Sequence, residues 1–348
     1  MAIANPAAIK TSGGDYTTIQ AWEDALVNDE GVLVGECYGE VFTKVLFSGV
    51  AYNSTNYPHL TAHSGNEHDG RAHELSGEGN ARIEYVGASY VFQYNDAYVR
   101  VSWLEIKGPG TNGYRTFRGF CGEAGTAHIH HNIIHNNLNT YKYSQAGASF
   151  YYSTVEYRVY RNIFYGFGYG GITLSTAGAN SAFLQNTVFE INYSSALTCS
   201  DVDWVIKSNA LFNNSSRVDI ANTTGTYDYN ATSDTTGAED PPVTDGTGEG
   251  THGLISLTAT DQFVNAVNTN MATIDLLPKA GAGILDKIAS GDLATVFGAN
   301  YLTDYPEIDE SINNRGTSIT GAWDIGAGQY VAAAAGSSIP ILRRRRCA

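Results

Sequence analysis

Two groups of four histidines have the residue type and the close spacing that a metal site requires. The first group lies within 59–73, a stretch typical of turns. The second group consists of His128, His130, His131 and His135. On a strand, His128 and His130 would share one face and His131 the other, because successive side chains alternate. Zinc needs three or four converging ligands, and His128, His130 and His135 are the set that could supply them across a turn. We interpret these histidines as polar residues on an exposed strand face and expect no metal.

Asp201 and Asp203 could share one strand face and offer oxygen ligands to calcium. Calcium takes about six to eight oxygen ligands, and two carboxylates supply too few of them. We therefore expect no calcium site at these residues, and the sequence implies no cofactor.

Tyrosines crowd the stretch between residues 151 and 169. They are Tyr151, Tyr152, Tyr157, Tyr160, Tyr165 and Tyr169. Tyrosine rings suit stacking against sugars, and tyrosine is enriched at subunit interfaces. A third interpretation is that the rings are part of the core. The face of the strand on which each tyrosine lies would decide among sugar stacking, a subunit interface and the core. The sequence leaves all three interpretations open.

The composition limits the classes of protein to which these residues can belong. Of the 348 residues, 43% are apolar and 16% are charged, so the chain can bury a large core and is not a disordered acidic chain. No apolar run approaches the roughly 20 residues of a membrane span. Gly (38) and Tyr (23) are frequent, which favours a β-rich fold.

The charge is strongly acidic except at one end. The formal net charge is −15, and without the last four arginines 16 basic residues remain against 35 acidic ones. Such a body repels DNA and anionic membranes, so no nucleic acid or membrane partner is expected. The four cysteines lie far apart, which favours buried or free thiols over a disulfide framework. They are Cys37, Cys121, Cys199 and Cys347.

A short helix is predicted over residues 15–29, before the β-rich part begins. Ile19, Trp22 and Leu26 recur at helical spacing and form one apolar face. Thr17 and Gln20 are placed as a capping box, in which each side chain would bond the backbone near the other.

A weak repeat is the most informative pattern in the sequence. Four segments share an apolar residue, two variable residues, an asparagine and further apolar residues, and the shared asparagines are Asn132, Asn162, Asn186 and Asn209. Residues 98–106 look like an earlier copy without the asparagine. Each segment is too short to bury its own apolar side chains, so equivalent segments must stack as turns, or rungs, of a parallel coil. Asparagines at one inward position would then form a hydrogen-bonded ladder.

This pattern resembles the right-handed parallel β-helix of the pectate-lyase-like superfamily. The rungs, the N-terminal helix and the Asp-Ile-Gly-Ala run within 323–330 carry the resemblance. The opening at 14–22, with 34–38 and 59–70, is similar to uncharacterised β-helix proteins of phages. The resemblance spans 14–330 and implies an all-β, single-stranded right-handed parallel β-helix with an N-terminal capping helix.

Members of that superfamily cleave acidic polysaccharides, which raises the same question for this chain. The motifs of polygalacturonase-like members (Asn-x-Asp, Asp-Asp, Gly-His-Gly and Arg-x-Lys on successive rungs) do not occur in the sequence. A pair similar to that of alginate and chondroitin lyases would consist of Lys142 and either Arg158 or Arg161, about one coil apart. A surface ion pair across rungs is favoured, so no catalytic residue is assigned.

The chain divides into three predicted parts. They are an N-terminal arm with the capping helix at 1–30, the parallel β-helix at 31–330, and a linker with an apolar and basic tail at 331–348. A long acidic loop rich in Gly and Pro is predicted at 231–253. A helix near 258–267 and last rungs at 273–277 and 283–288 should follow.

The tail has the composition of a docking peptide, with an apolar run directly before a basic run. These residues are Ile339, Ile341, Leu342, Arg343, Arg344, Arg345 and Arg346. The expected partners are acidic surfaces on other virion proteins or on a second copy of the chain.

The function expected from these features is a non-enzymatic structural protein of a bacteriophage virion. It would be a capsid decoration, head-fibre or tail-associated β-helix, made in the host cytoplasm without a signal peptide and assembled onto the virion exterior. The alternatives are a polysaccharide lyase or tailspike-like depolymerase, or a non-catalytic adhesin that binds cell-surface polysaccharide.

Overall fold

The computed structural model describes residues 4–26, 31–49, 52–71, 79–85, 87, 89–108, 115–120, 124–136, 146–151, 154–167, 171–191, 195–212, 219–221, 225–233, 252–266 and 274–330. Within these residues, most strands belong to three parallel sheets, which we call A, B and C.

Each sheet is built from strands that are far apart in the sequence. Sheet A contains Ala7–Ile9, Leu33–Cys37, Pro58–Ala62, Val99–Ser102, Gly125–His130, Val155–Tyr160, Ser181–Leu184, Trp204–Lys207 and Thr226–Asp228. Sheet B contains Val41–Phe42, Arg82–Glu84, Glu105–Lys107, Ile133–His135, Ile163–Phe167, Thr187–Ile191, Ala210–Phe212 and Ala231–Thr232. Sheet C contains Val45–Phe47, Phe92–Tyr94, Arg115–Phe120, Ala146–Tyr151, Ile172–Leu174, Leu197–Cys199 and Ile220–Ala221.

The chain visits the three sheets in rotation, from A to B to C and back to A, between residues 33 and 232. Each strand pairs in parallel with its equivalents on the neighbouring turns, so that Ile129 lies opposite Val101 on one side and Val159 on the other. This arrangement agrees with the expected all-β class, and it is compatible with a β-helix-like solenoid.

The core lies between the sheets and consists of stacked apolar side chains. The rings of Phe92 and Phe117 stack at 4.9 Å, and those of Tyr157 and Trp204 stack at 5.8 Å. Among the crowded tyrosines, Tyr157, Tyr160 and Tyr165 are buried, which supports the core interpretation for these three. Tyr152 and Tyr169 lie outside the described residues.

The four predicted asparagines join in one hydrogen-bonded ladder at the junction of sheets A and B. In each step the carboxamide oxygen of one asparagine accepts from the backbone N–H and the Nδ2 of the asparagine before it; Asn186 Oδ1 lies 3.0 and 3.1 Å from these two atoms of Asn162. A fifth member, Asn230, continues the ladder beyond Asn209. On the earlier rung Leu104 takes the asparagine position, and its N–H donates to Asn132 Oδ1 at 3.1 Å.

The N-terminal helix is shorter than predicted and spans Ile19–Glu23. Its predicted apolar face is buried. The capping-box prediction is wrong, because Thr18 rather than Thr17 is the N-cap, and Thr18 Oγ1 accepts from the N–H of Ala21 at 3.0 Å. The Gln20 side chain bonds Leu46 instead of the helix start.

Leu254 still bridges Ala231 of sheet B in parallel, but residues 255–330 differ from the predicted continuation of the coil. The described elements there are short helices and antiparallel pairs: Ala259–Gln262, Phe263–Asn265 with Asp275–Pro278, a 3₁₀ turn Ser290–Asp292, Leu293–Phe297, Tyr301–Asp304, and Glu310–Ser311 with Asn314–Ser318. The rungs predicted at 273–277 and 283–288 are wrong, since Asp275–Pro278 pairs antiparallel and Ile288 bridges Trp323 antiparallel.

Residues 286–330 fold back along the outside of the coil, and we call this segment the C-terminal strap. The helix Leu293–Phe297, Ile308 and Trp323 pack with Tyr160 and Leu184 of sheet A in one apolar cluster. Most of the predicted loop at 231–253 and the whole tail at 331–348 lie outside the described residues. The division into three parts stays a prediction. None of the described helices is long and apolar enough to cross a membrane.

Candidate functional site

One column of residues at the junction of sheets A and B has an unusual backbone. On six successive rungs, the residue directly before the ladder position (Leu104 or an asparagine) has a positive φ between 53° and 61°. These residues are Trp103, His131, Arg161, Gln185, Ser208 and Tyr229, and we call them the corner column. A left-handed conformation is uncommon for residues other than glycine and costs roughly 1–2 kcal/mol each. Such strain concentrates at functional sites.

The corner column binds the C-terminal strap. Trp103 Nε1 donates to Glu307 Oε2 at 2.8 Å, and His131 Nε2 lies 3.0 Å from the carbonyl oxygen of Glu310. Further along the column, the carbonyl oxygen of Ser208 accepts from the N–H of Gly326 at 2.9 Å. The coil therefore offers mainly donors, and the strap offers mainly carbonyl and carboxylate oxygens.

Arg161 makes the most extensive of these contacts, and it is fully buried. Its Nε donates to the carbonyl of Ile308 at 3.0 Å, and its Nη1 lies 3.3 and 3.4 Å from the carbonyls of Gly326 and Ala327. Its guanidinium also lies 4.8 Å from the ring centre of Trp323. Burial lowers the pKa of Arg161 to about 9, which leaves it a cation at neutral pH. These contacts position the strap.

His130 and His131 lie at the centre of the site and contact each other through their Nδ1 atoms at 2.9 Å. The alternation of a strand predicts opposite faces for the two, but the strand ends at His130, and the positive φ of His131 turns its ring back toward His130. Arg100 Nε donates to His130 Nε2 at 2.8 Å.

The partners of these two rings fix their tautomers. His130 Nε2 accepts from Arg100, so the proton of neutral His130 lies on Nδ1. His131 Nε2 faces the carbonyl oxygen of Glu310 and must donate, so its Nδ1 accepts from His130. The result is a directed chain of hydrogen bonds, Arg100 to His130 to His131 to the Glu310 carbonyl, which we call the histidine relay.

The surroundings keep the relay neutral. Burial, followed by the charge of Arg100, holds the pKa of His130 well below its usual range. Burial also lowers the pKa of His131, as does the charge of Arg161. His131 stacks on Trp103 with ring centres 4.3 Å apart, and His130 stacks on Tyr160 at 4.7 Å. Both rings are thus fixed in orientation as well as in protonation.

His130, His131 and Glu307 bring potential ligand atoms within 4.8 Å of one another. Each of these atoms is already used in a hydrogen bond, because the two Nδ1 atoms share one proton and Glu307 accepts from Arg100 and Trp103. We therefore assign these side chains to the relay.

The third predicted histidine, His135, lies apart from His128 and His130. It is on sheet B, where its Nε2 lies 3.0 Å from Glu105 Oε1 and its ring stacks on Tyr165 at 5.1 Å. The expectation of an exposed strand face is wrong for His130, His131 and His135, because all three are buried. The structure brings His130 together with His131, a pairing that strand alternation does not suggest.

Of the lyase candidates, Arg158 and Arg161 lie on the same rung but have different surroundings. Arg158 pairs with Glu156 at 2.7 Å and donates to the carbonyl of Asp304 in the strap. Lys142 lies outside the described residues.

A pocket of about 190 Å³ opens beside Arg158, between the outer face of sheet A and the strap. Tyr57, Tyr98, His128 and Pro306 contribute to its lining. Burial, followed by the charge of Arg158, keeps the pKa of His128 well below its usual range, so this ring is neutral. The pocket combines aromatic faces, a neutral imidazole and a guanidinium.

The sequence alone did not predict Trp103, Glu307 and Arg315 as site residues. Arg315 Nη1 donates to the carbonyl of Ala62 at 2.9 Å, across 253 positions of sequence. The charge of the strap is the sequence signal that could have indicated this contact surface. Residues 286–330 contain seven acidic and two basic residues, and the coil presents Arg100, Arg158 and Lys207 to them.

Comparison with known proteins yields neither a matching protein-family model nor a matching curated protein.

Proposed function

We propose that this chain is a non-enzymatic structural protein, and that it serves in a bacteriophage virion as a decoration, head-fibre or tail-associated β-helix. The observation that carries the proposal is the mutual support of coil and strap. The asparagine ladder links successive turns on the inside, and the strap bonds the same turns on the outside. A coil held from both sides suits a rigid part of an assembly.

The contacts of the arginine candidates favour this structural use. Arg161 directs its guanidinium to backbone carbonyls of the strap, and Arg158 is paired with Glu156. In both residues the charge is engaged in holding the protein together. The strong acidic charge of the body also suits docking by a basic tail, because opposite charges attract over several ångströms.

The test of this proposal is incorporation into virions or a large assembly. Tagged full-length chain should copurify with particles, and the same chain without residues 331–348 should not, although its circular dichroism stays the same. A variant with Arg343–Arg346 replaced by glutamine should lose most of the incorporation, which separates the basic run from the apolar run. A full-length chain that remains free and monomeric would contradict the proposal.

The pocket beside Arg158 favours a second candidate, non-catalytic binding of a glycan. The faces of Tyr57 and Tyr98 suit stacking against sugar rings, and Arg158 can donate to hydroxyls or a carboxylate. Tyr98→Ala should lower binding on a glycan array about fivefold or more, since one aromatic contact contributes about 1 kcal/mol beyond its buried area. Tyr38→Ala, at a tyrosine outside the pocket, is the matched control and should bind normally. Unsaturated sugar products would instead indicate a lyase.

A further inference from the structure

We infer that the histidine relay is an acid-sensitive latch that holds the C-terminal strap against the coil and releases it when either histidine gains a proton. The inference rests on the geometry and surroundings of the relay and does not depend on the proposed virion role. The released segment is the part of the strap around Glu307 and Glu310, which the relay contacts directly.

The directed hydrogen bonds make the relay intolerant of an added proton. An added proton on His131 Nδ1 would point at the Nδ1–H of His130, and the two Nδ1 atoms are only 2.9 Å apart. A proton on His130 Nε2 would face the N–H of Arg100 at 2.8 Å. In either position two donors meet and a buried hydrogen bond is lost.

Among the described residues, the acceptors around the relay are already engaged in other hydrogen bonds. The titratable and charged groups that face it, from every element packed against it, are His59, His68, Arg100, His128, Arg158, Tyr160, Arg161, Glu307, Asp309, Glu310 and Arg315. Glu307 lies nearest among the carboxylates, 4.0 Å from His130 Nδ1, and it already accepts from Arg100 and Trp103. Arg100 and Arg161 oppose further positive charge on the two histidines.

The direction of the pH response follows from linkage. Both histidines have a lowered pKa while the strap is closed and an ordinary pKa of about 6.5 when it is open. The open form therefore binds more protons, so closure is favoured above about pH 6.5 and is lost progressively as the pH falls. Burial raises the pKa of Glu310, which opposes this effect by up to one proton. On opening, the two histidines take up about two protons and Glu310 releases up to one, so the net uptake is about one proton. An uptake of one proton changes the opening equilibrium about tenfold per pH unit.

Hydrogen exchange measured by mass spectrometry on the full chain tests the latch. Labelling times are scaled for the intrinsic pH dependence of amide exchange. Between pH 6.5 and 5.5, the opening equilibrium of peptides within 300–320 should rise about tenfold, while peptides within 155–167 of the coil stay protected. No change in the strap peptides, or an equal change in both sets, would overturn the inference.

Two variants separate the relay from other histidines. The double variant His130→Asn, His131→Gln keeps donors toward the strap and removes both ionisable rings, so most of the rise in strap opening between pH 6.5 and 5.5 should disappear. His252→Gln removes an exposed histidine that pairs with Asp228 outside the relay, and it should respond as the original chain does. A double variant that opens over the same pH range as the original chain would contradict the latch.

A measurement on the unaltered chain covers the case in which the double variant fails to fold. Nitrogen NMR of ¹⁵N-histidine-labelled protein should give one Nδ1–H and one Nε2–H neutral tautomer for the relay at pH 7.5. Both should become imidazolium signals over the pH range in which the strap opens. Relay histidines that are protonated while the strap stays closed would refute the proposal.

Discussion

Asn186→Ala is expected to destabilise the protein by about 4 kcal/mol, because it removes the middle of the asparagine ladder. Asn186 Oδ1 accepts from the backbone N–H of Asn162, and Asn186 Nδ2 donates to the carbonyl of Val159 at 3.0 Å. All of these groups are buried. An orphaned buried polar group costs roughly 1–3 kcal/mol, and the cavity left by the side chain adds to this. Urea denaturation followed by circular dichroism gives the free energy of unfolding.

Two further variants make this prediction specific to the ladder. Asn300→Ala removes an exposed asparagine that makes no capping bond in the helix Tyr301–Asp304, and it should change the free energy of unfolding by less than about 0.5 kcal/mol. Asn186→Asp keeps the shape but places a carboxylate beside the oxygen of Asn209, and it should be at least as harmful as alanine. A small effect of both Asn186 variants would show that the ladder contributes little to stability.

Arg161→Met should have the second-largest effect, a loss of about 3 kcal/mol or more, concentrated in the strap. Methionine fills a similar volume and has the same backbone cost at positive φ, but it cannot donate to the carbonyls of Ile308, Gly326 and Ala327. These carbonyls would remain buried without that donor. Limited proteolysis at neutral pH should cut within 300–327 much faster, while the coil peptides keep their protection.

The matched controls for this prediction use the same residue types. Arg118→Met removes a half-buried arginine of sheet C that lies over the ring of Tyr90, and it should cost less than about 1 kcal/mol. Arg161→Lys keeps a charge but loses the planar fork, so it should fall between methionine and the original residue. Proteolysis that is equally fast at the strap and the coil would show that Arg161 supports the whole fold instead.

The ladder was predictable from sequence because its spacing recurs. Asn132, Asn162, Asn186 and Asn209 each have an apolar residue three positions before them and another two positions after them. Stacking of equivalent segments is the simplest way to bury such short apolar runs. Asn230 was missed, since the polar Thr232 stands two positions after it, where the other four segments have an apolar residue.

The corner column was not predictable in the same way. Residues such as His131 and Arg161 give no sequence signal for a positive φ, which is usually taken by glycine. Strand alternation therefore placed His131 opposite His130, whereas the turn of the backbone brings them into contact. Tertiary contacts with the strap offset the local cost, and such contacts cannot be inferred from neighbouring residues.

The position of the strap depends on contacts between residues that are far apart in the chain. Arg100 and Glu307 are separated by 207 positions, and Arg161 and Ile308 by 147. Periodicity describes only local order, so it predicted more rungs at 273–277 and 283–288. The excess of acidic residues in 286–330 was the one remaining sequence feature that could indicate a contact with the basic residues of the coil.

The strap also limits the number of turns that the coil can have. It contacts Ala62 near one end and Lys207 near the other. Repeat proteins gain or lose length when a unit is duplicated or deleted, because each unit contacts only its neighbours. Here one extra turn would shift every later donor by about 4.8 Å along the stack, and the strap could no longer reach both ends. The copy number of the repeat is therefore fixed by a segment that is not itself a repeat.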